Sequence, residues 1–144
     1  MTEVAFHFNA PHKLGYACRL VRKAVASGAK VVVTGEAGML RELDTALWTF
    51  SALDFVPHCH SAAASESVLA ASPVVLADSP RSAPHQQVLV NLGLTVPDGF
   101  EGYERLIEVV TVEDEDRQRA RQRWKYYADR GYAITRHDRA KEAG

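Results

Sequence analysis

The feature that most constrains the fold is the order strand, helix, strand near the N-terminus. Residues 4–8 form a short apolar and aromatic run, and residues 30–34 (KVVVT) form a run that is mostly valine. A continuous β-branched run is typical of a strand covered on both faces, as in parallel sheets. Between the two runs, residues 13–27 place apolar side chains at steps of three and four, which predicts an amphipathic helix. Two strands joined by a helix predict a parallel sheet with a right-handed crossover.

The rest of the chain is less regular but has further predicted strands and helices. The further predicted elements are a helix at 39–50, strands at 73–77, 88–92 and 106–112, and a long helix at 113–132. The 144 residues suit one domain, since domains cluster at about 100–150 residues. We predict a single α/β domain of three layers, α/β/α, with a mostly parallel central sheet. It spans residues 1–134 and is followed by a polar C-terminal tail at residues 135–144.

Charge and cysteine content argue against several classes of protein. The chain has 17 Lys and Arg against 18 Asp and Glu, a net charge of -1, whereas dedicated nucleic-acid binders usually carry a cationic excess. Cys18 and Cys59 are too few for a disulfide framework. No signal peptide is visible, and no segment reaches the roughly 18 apolar residues of a membrane span. We therefore expect a cytoplasmic protein with free thiols and no membrane contact.

Two local clusters raise the alternative of an enzyme. The turn from Gly35 to Gly38 lies between a strand and a helix, where α/β proteins bind phosphates, but it lacks the remaining signature residues of dinucleotide and P-loop motifs. The cluster His58–His60 (HCH) is metal-like, yet adjacent residues of an extended segment point to opposite faces. We predict no catalytic residue, no metal and no cofactor. The alternative is a small hydrolase or nucleotide-binding enzyme that uses one of these clusters.

The last predicted helix carries an ordered charge pattern. It opens with four acidic residues, 113–116, and then has a basic residue at every second position from 117 to 125. At about 100° per residue, Arg117, Arg121 and Lys125 form one stripe, and Trp124 lies on the neighbouring face. Such a stripe can bind an acidic, hydrophobic peptide or its terminal carboxylate. A solvated face that suits the helix dipole explains the same pattern, and direct binding of nucleic acid is a third interpretation.

A second aromatic group lies in the first half of the chain. Trp48 stands near the end of the predicted helix 39–50, and Phe55 follows shortly after it. Tryptophan and phenylalanine are common both in cores and as interface anchors. Core burial is the default expectation for both residues.

In these segments the sequence resembles the chi subunit family of bacterial DNA polymerase III. The matching segments are 43–48 (LDTALW), 55–58 (FVPH), 88–92 (VLVNL) and, most distinctive, 119–127 (RARQRWKYY) with 130–132 (RGY). They stand in the family's order and at about its spacing, over nearly the whole chain. The resemblance implies a Rossmann-like fold and a non-catalytic accessory subunit of the polymerase holoenzyme.

The resemblance also implies partners. The psi subunit would link the protein to the clamp loader. The second partner would be the acidic C-terminal tail of single-stranded-DNA-binding protein, which ends in aspartates, a phenylalanine and a free carboxylate. Contact with DNA would then be indirect.

By the same resemblance, individual residues receive roles. Arg121 and Lys125 match positions that bind the carboxylate and acidic groups of the tail, and Arg117 matches a basic position one turn earlier. Trp124 matches an aromatic position beside them. Trp48 and Phe55 match aromatic positions implicated in docking the psi subunit. The four acids before Arg117 depart from the family pattern and would weaken attraction for an acidic tail.

Overall fold

A computed structural model describes residues 1–49, 58–60 and 72–139. Its helices are α1 (Lys13–Ala26), α2 (Ala37–Thr49) and α3 (Asp114–Asp129). Its strands are β1 (Glu3–Ala10), β2 (Val31–Thr34), β3 (His58–His60), β4 (Val74–Leu76), β5 (Val88–Asn91), β6 (Arg105–Thr111) and β7 (Ile134–Asp138). Short 3₁₀ turns lie at Pro80–Ser82 and Phe100–Gly102.

The described strands form one seven-stranded sheet in the order β3-β4-β2-β5-β6-β1-β7. Every neighbouring pair is parallel. The registers place Val32 beside Leu89 in the centre and Phe6 beside Arg136 near one edge. The predicted α/β class with a parallel central sheet is confirmed.

Helices cover both faces of this sheet. On one face, α1 and α2 contribute Val21 and Leu43 to an apolar cluster that includes Val33. On the other face, α3 contributes Tyr127 to a second cluster that includes Val32. Adjacent residues of a strand thus enter opposite clusters, as the pleat requires. The predicted three-layer arrangement is confirmed, and both faces of the central strands are buried as the KVVVT run indicated.

The start of α3 is fixed to the sheet by Asp116. One carboxylate oxygen of Asp116 accepts hydrogen bonds from the Thr111 backbone N–H at 2.8 Å and from the Thr111 hydroxyl at 2.9 Å. The other carboxylate oxygen lies 3.1 Å from the Lys13 ammonium at the start of α1. Because the Asp116 residue is buried, these contacts hold α3 in one position at the end of β6.

A buried polar network fixes the middle of α3 to β6. The Glu108 carboxylate is fully buried. It accepts hydrogen bonds from Asn91 at 2.9 Å, from the Arg123 guanidinium at 3.0 Å and from the Tyr127 hydroxyl. Arg123 also donates to the Leu94 carbonyl oxygen at 3.0 Å. Burial raises the pKa of the Glu108 carboxyl, while the Arg123 charge and the hydrogen bonds act in the opposite direction.

The last strand, β7, was not predicted. Residues 135–138, expected to begin a polar tail, form most of β7 and pair with β1 along Ala5–Phe8. The expectation of a tail from residue 135 is therefore wrong for these residues, while 140–144 lie outside the described part of the chain. An edge strand has a neighbour on one side only and keeps polar side chains in solvent, so its composition resembles that of a tail.

Candidate functional site

A cleft of about 460 Å³ lies between α3 and the strands β6, β1 and β7 at one side of the sheet. We call it the α3–β1 cleft. Its apolar surface comprises Phe6, Phe8, Val110, Ala120 and Trp124, and its polar lining comprises Asn9, Arg117, Arg121 and Arg136. Both helix arginines and Arg136 are exposed. The cleft therefore combines a largely aromatic floor with three guanidinium groups.

The aromatic floor follows from the pleat of β1 and the small Ala120 on α3. Phe6 and Phe8 are two residues apart on β1, so their side chains point to the same face of the strand. The rings of Phe6 and Trp124 have centroids 5.0 Å apart and are tilted by 49°, a favourable geometry for an aromatic pair. Trp124 is only half-buried, so part of its ring remains available to a ligand.

Arg136 on β7 lies above this floor. Its guanidinium carbon is 5.0 Å from the centroid of the Phe8 ring and 5.8 Å from that of the Trp124 ring. Both distances are within the range of cation–π attraction. Arg136 is paired with Phe6 in the parallel register, which places its side chain on the same face of the sheet as the cleft floor.

An irregularity at the end of β1 shapes the rim of the cleft. The register with β6 shifts between His7 and Ala10, and Asn9 has a φ of 61°. Asparagine tolerates this left-handed conformation better than most residues. The Asn9 amide donates to the Asp138 carboxylate at 3.3 Å, so the bulge connects β1 to β7 beside the cleft.

The structure separates the residues that the sequence singled out on α3. Arg117, Arg121 and Trp124 all line the α3–β1 cleft. Lys125 is exposed and lies one turn beyond Arg121, outside that lining. Sequence reasoning missed Arg136, because it stood in the expected tail. It also missed Phe6 and Phe8, although their two-residue spacing signals a shared strand face.

Three of the four acids at the start of α3 face elsewhere. Glu113, Glu115 and Asp116 line a different groove, which lies between the starts of α1, α2 and α3. The Asp116 carboxylate is paired with Lys13. None of these three acids contributes to the lining of the α3–β1 cleft.

Trp48 lies near the other edge of the sheet, next to β3. Its side chain is 59% exposed, so the default expectation of core burial is wrong for this residue. The Trp48 ring contacts His58, with centroids 5.4 Å apart. The His58 ring in turn lies 2.9 Å from the Asp44 carboxylate. The exposed Trp48 indole therefore packs against a histidine that is held by a hydrogen bond to α2. Phe55 lies outside the described residues.

Among the described residues, neither cluster of the enzyme alternative lies in a site that suits a phosphate or a metal ion. Gly35 and Glu36 line a cleft of about 420 Å³ whose charged lining residues are Glu36, Asp78 and Asp98. Asp98 is paired with Arg81 at 2.9 Å, but the carboxylates of Glu36 and Asp78 would repel a phosphate group. Among the described residues, no group of three or more His, Cys, Asp and Glu side chains is placed to bind a metal ion. In that part of the chain, no helix has the length and apolar character needed to cross a membrane.

Comparison with known proteins identifies a family over nearly the whole chain. Residues 1–135 match the family described as DNA polymerase III chi subunit, HolC. The chain is 32% identical over 142 residues to DNA polymerase III subunit chi of Pseudomonas aeruginosa, covering 95% of this chain and 96% of that protein. It is 30% identical over 119 residues to the subunit chi of Escherichia coli, covering 81% and 79%. The subunit chi of Haemophilus influenzae is 27% identical over 121 residues, covering 83% and 82%.

Proposed function

Because this chain belongs to the chi subunit family of DNA polymerase III, we propose that it is a non-catalytic accessory subunit of the replicative holoenzyme. In this proposal it binds the acidic C-terminal tail of single-stranded-DNA-binding protein in the α3–β1 cleft. It docks the psi subunit of the clamp loader at Trp48. Its contact with DNA is indirect.

The observation that carries the proposal is the composition of the α3–β1 cleft. A tail that ends in aspartates and a phenylalanine needs cations for its carboxylates and an aromatic surface for its last ring. Arg117 and Arg121 supply the cations, and Trp124 and Phe8 supply the aromatic surface. Guanidinium groups bind carboxylates through paired N–H donors, which favours this ligand over a neutral peptide.

Three of the four acids at the start of α3 lie away from the cleft, whereas Asp114 is exposed three residues before Arg117 on the same side of the helix. Glu113 and Glu115 line the neighbouring groove rather than the cleft, and the charge of Asp116 is balanced by Lys13. Their effect on a tail in the cleft is therefore a longer-range repulsion, which solvent and salt screen within about 10 Å. The departure from the family pattern thus remains compatible with tail binding.

The expected strength follows from the same contacts. A hydrogen bond to a charged group contributes roughly 1.5–3 kcal/mol, and a well-buried aromatic anchor adds to this. The ordering of a flexible peptide opposes binding. We expect a dissociation constant in the micromolar range, which corresponds to a binding free energy of about -8 kcal/mol.

The test is a fluorescence-anisotropy titration with a labelled peptide that has several aspartates, a C-terminal phenylalanine and a free carboxylate. Arg121→Ala should weaken binding at least tenfold, because it removes a charged donor from the cleft. Arg119→Ala is the matched control, since Arg119 is exposed on the same helix but does not line the cleft. Equal affinities of the two variants would contradict tail binding in this cleft. Tight binding of bare single-stranded DNA that is lost in both variants would instead favour a nucleic-acid binder.

Docking of the psi subunit has its own test. Trp48 is a large apolar side chain left 59% exposed, and such residues often anchor protein interfaces. In a reconstituted mixture, Trp48→Ala should reduce binding to purified psi subunit by more than tenfold without changing affinity for the tail peptide. Val112→Ala is the control, since Val112 is also an exposed apolar residue, at 55%. Retention of full psi affinity by Trp48→Ala would place that interface elsewhere.

A further inference from the structure

The α3–β1 cleft contains one cation that its helix does not supply. Arg136 lines the cleft together with Arg117 and Arg121. It belongs to β7, the edge strand of the sheet, whereas the other two belong to α3. Lys125, which continues the helix stripe, is outside the lining. The third guanidinium group of the cleft therefore comes from the sheet and not from α3.

The position of Arg136 is defined by its ring contacts. The guanidinium carbon lies 5.0 Å from the Phe8 centroid and 5.8 Å from the Trp124 centroid. These contacts restrict a side chain that would otherwise be free in solvent, so less entropy is lost when a ligand binds. The N–H donors of a guanidinium lie in its plane, and contact with rings leaves donors at its edge for a carboxylate.

We propose that Arg136 is a specificity-determining residue of the cleft and binds the free C-terminal carboxylate of the peptide, a role that the family resemblance implied for Arg121 and Lys125. This inference rests on the proposed function. A carboxylate held by Arg136 places the last side chain of the peptide beside the aromatic floor, next to the part of the Trp124 ring that is exposed. Arg117 and Arg121 then face the preceding acidic residues. The cleft therefore selects an acidic peptide that ends in an aromatic residue with a free carboxylate.

The test compares two labelled peptides of one sequence, one with a free C-terminal carboxylate and one with a C-terminal amide. The wild-type protein should prefer the free acid by about tenfold, the size expected of a charged hydrogen bond. Arg136→Ala should bind the free acid about tenfold more weakly and lose most of that preference. Arg136→Lys keeps the charge but not the planar group and should retain part of it. Lys125→Ala should retain all of it.

Arg130→Ala is the matched control. Arg130 is exposed, and its guanidinium carbon lies 3.5 Å from the centroid of the Tyr126 ring, but it does not line the cleft. It therefore reproduces the loss of one charge and one ring contact at another place. Equal thermal melting temperatures of the variants would show that the fold is unchanged.

The outcomes separate this inference from the function on which it rests. If the wild-type protein binds neither peptide, the proposed function fails. If Arg121→Ala weakens binding while Arg136→Ala matches Arg130→Ala with both peptides, tail binding stands and the role of Arg136 is overturned. Loss of the preference for the free acid in Lys125→Ala, with no loss in Arg136→Ala, would return the carboxylate to the helix stripe.

Discussion

Two arginines on α3, only two residues apart, have opposite environments. Arg123 is 2% exposed and donates to Glu108 beneath the helix, whereas Arg121 is exposed and lines the α3–β1 cleft. The first side chain holds α3 to the sheet through its Nε and Nη1 donors. The second has its charge available to a ligand. The difference shows that a run of basic residues can combine a buried structural cation with exposed cations, so each must be assigned by its own contacts.

The separation of the two roles follows from the helix period. The buried positions of α3 are Asp116, Ala120, Arg123 and Tyr127, at steps of four, three and four. Arg117, Arg121 and Trp124 are each displaced by one position from this set. A displacement of one residue turns a side chain by about 100° around the helix, from the sheet toward the cleft.

The largest expected effect is on the buried face. Arg123→Ala should lower the free energy of unfolding by about 3–5 kcal/mol, because it leaves the Glu108 carboxylate buried without its cation. Arg121→Ala should change the same quantity by less than about 0.5 kcal/mol, as expected of a surface substitution. Urea unfolding followed by circular dichroism measures both.

A double variant sharpens this comparison. Replacing both members of the pair, as in Arg123→Met with Glu108→Leu, removes the unpaired charge and should recover much of the stability lost in Arg123→Ala. If Arg123→Ala and Arg121→Ala have the same free energy of unfolding, the buried pair contributes little to stability, and the two faces of α3 do not differ in their contribution to folding.

Much of the fold could be predicted from the sequence, because the strongest patterns are local. The KVVVT run and the amphipathic segment before it correspond to β2 and α1 within one residue at each end. In contrast, β7 (ITRHD) is exposed or half-buried throughout. Its pairing with β1 joins residues more than a hundred positions apart, and no local pattern records that contact. Arg136 was missed for this reason.

The candidate site could be predicted only in part. The stripe of Arg117 and Arg121 with Trp124 beside it is a property of one helix and was visible in the sequence. The burial of Arg123 was not, since it depends on Glu108, which lies on a different element. The exposure of Trp48 is likewise set by tertiary packing, because tryptophan is suited both to a core and to an interface.

The smallest expected effect is that of salt. Salt should affect the exposed and the buried face of α3 differently, and this difference can be measured without any substitution. Between about 50 and 500 mM NaCl the Debye length falls from roughly 14 to 4 Å, so the contacts of the exposed Arg117 and Arg121 with an acidic peptide are increasingly screened. Affinity for the labelled peptide should fall several-fold. The Arg123–Glu108 pair is at most 2% exposed and excludes the ions that screen it, so the contribution of this pair to folding should change little. A tail affinity independent of salt would mean that the aromatic floor, rather than the arginines, supplies most of the binding free energy.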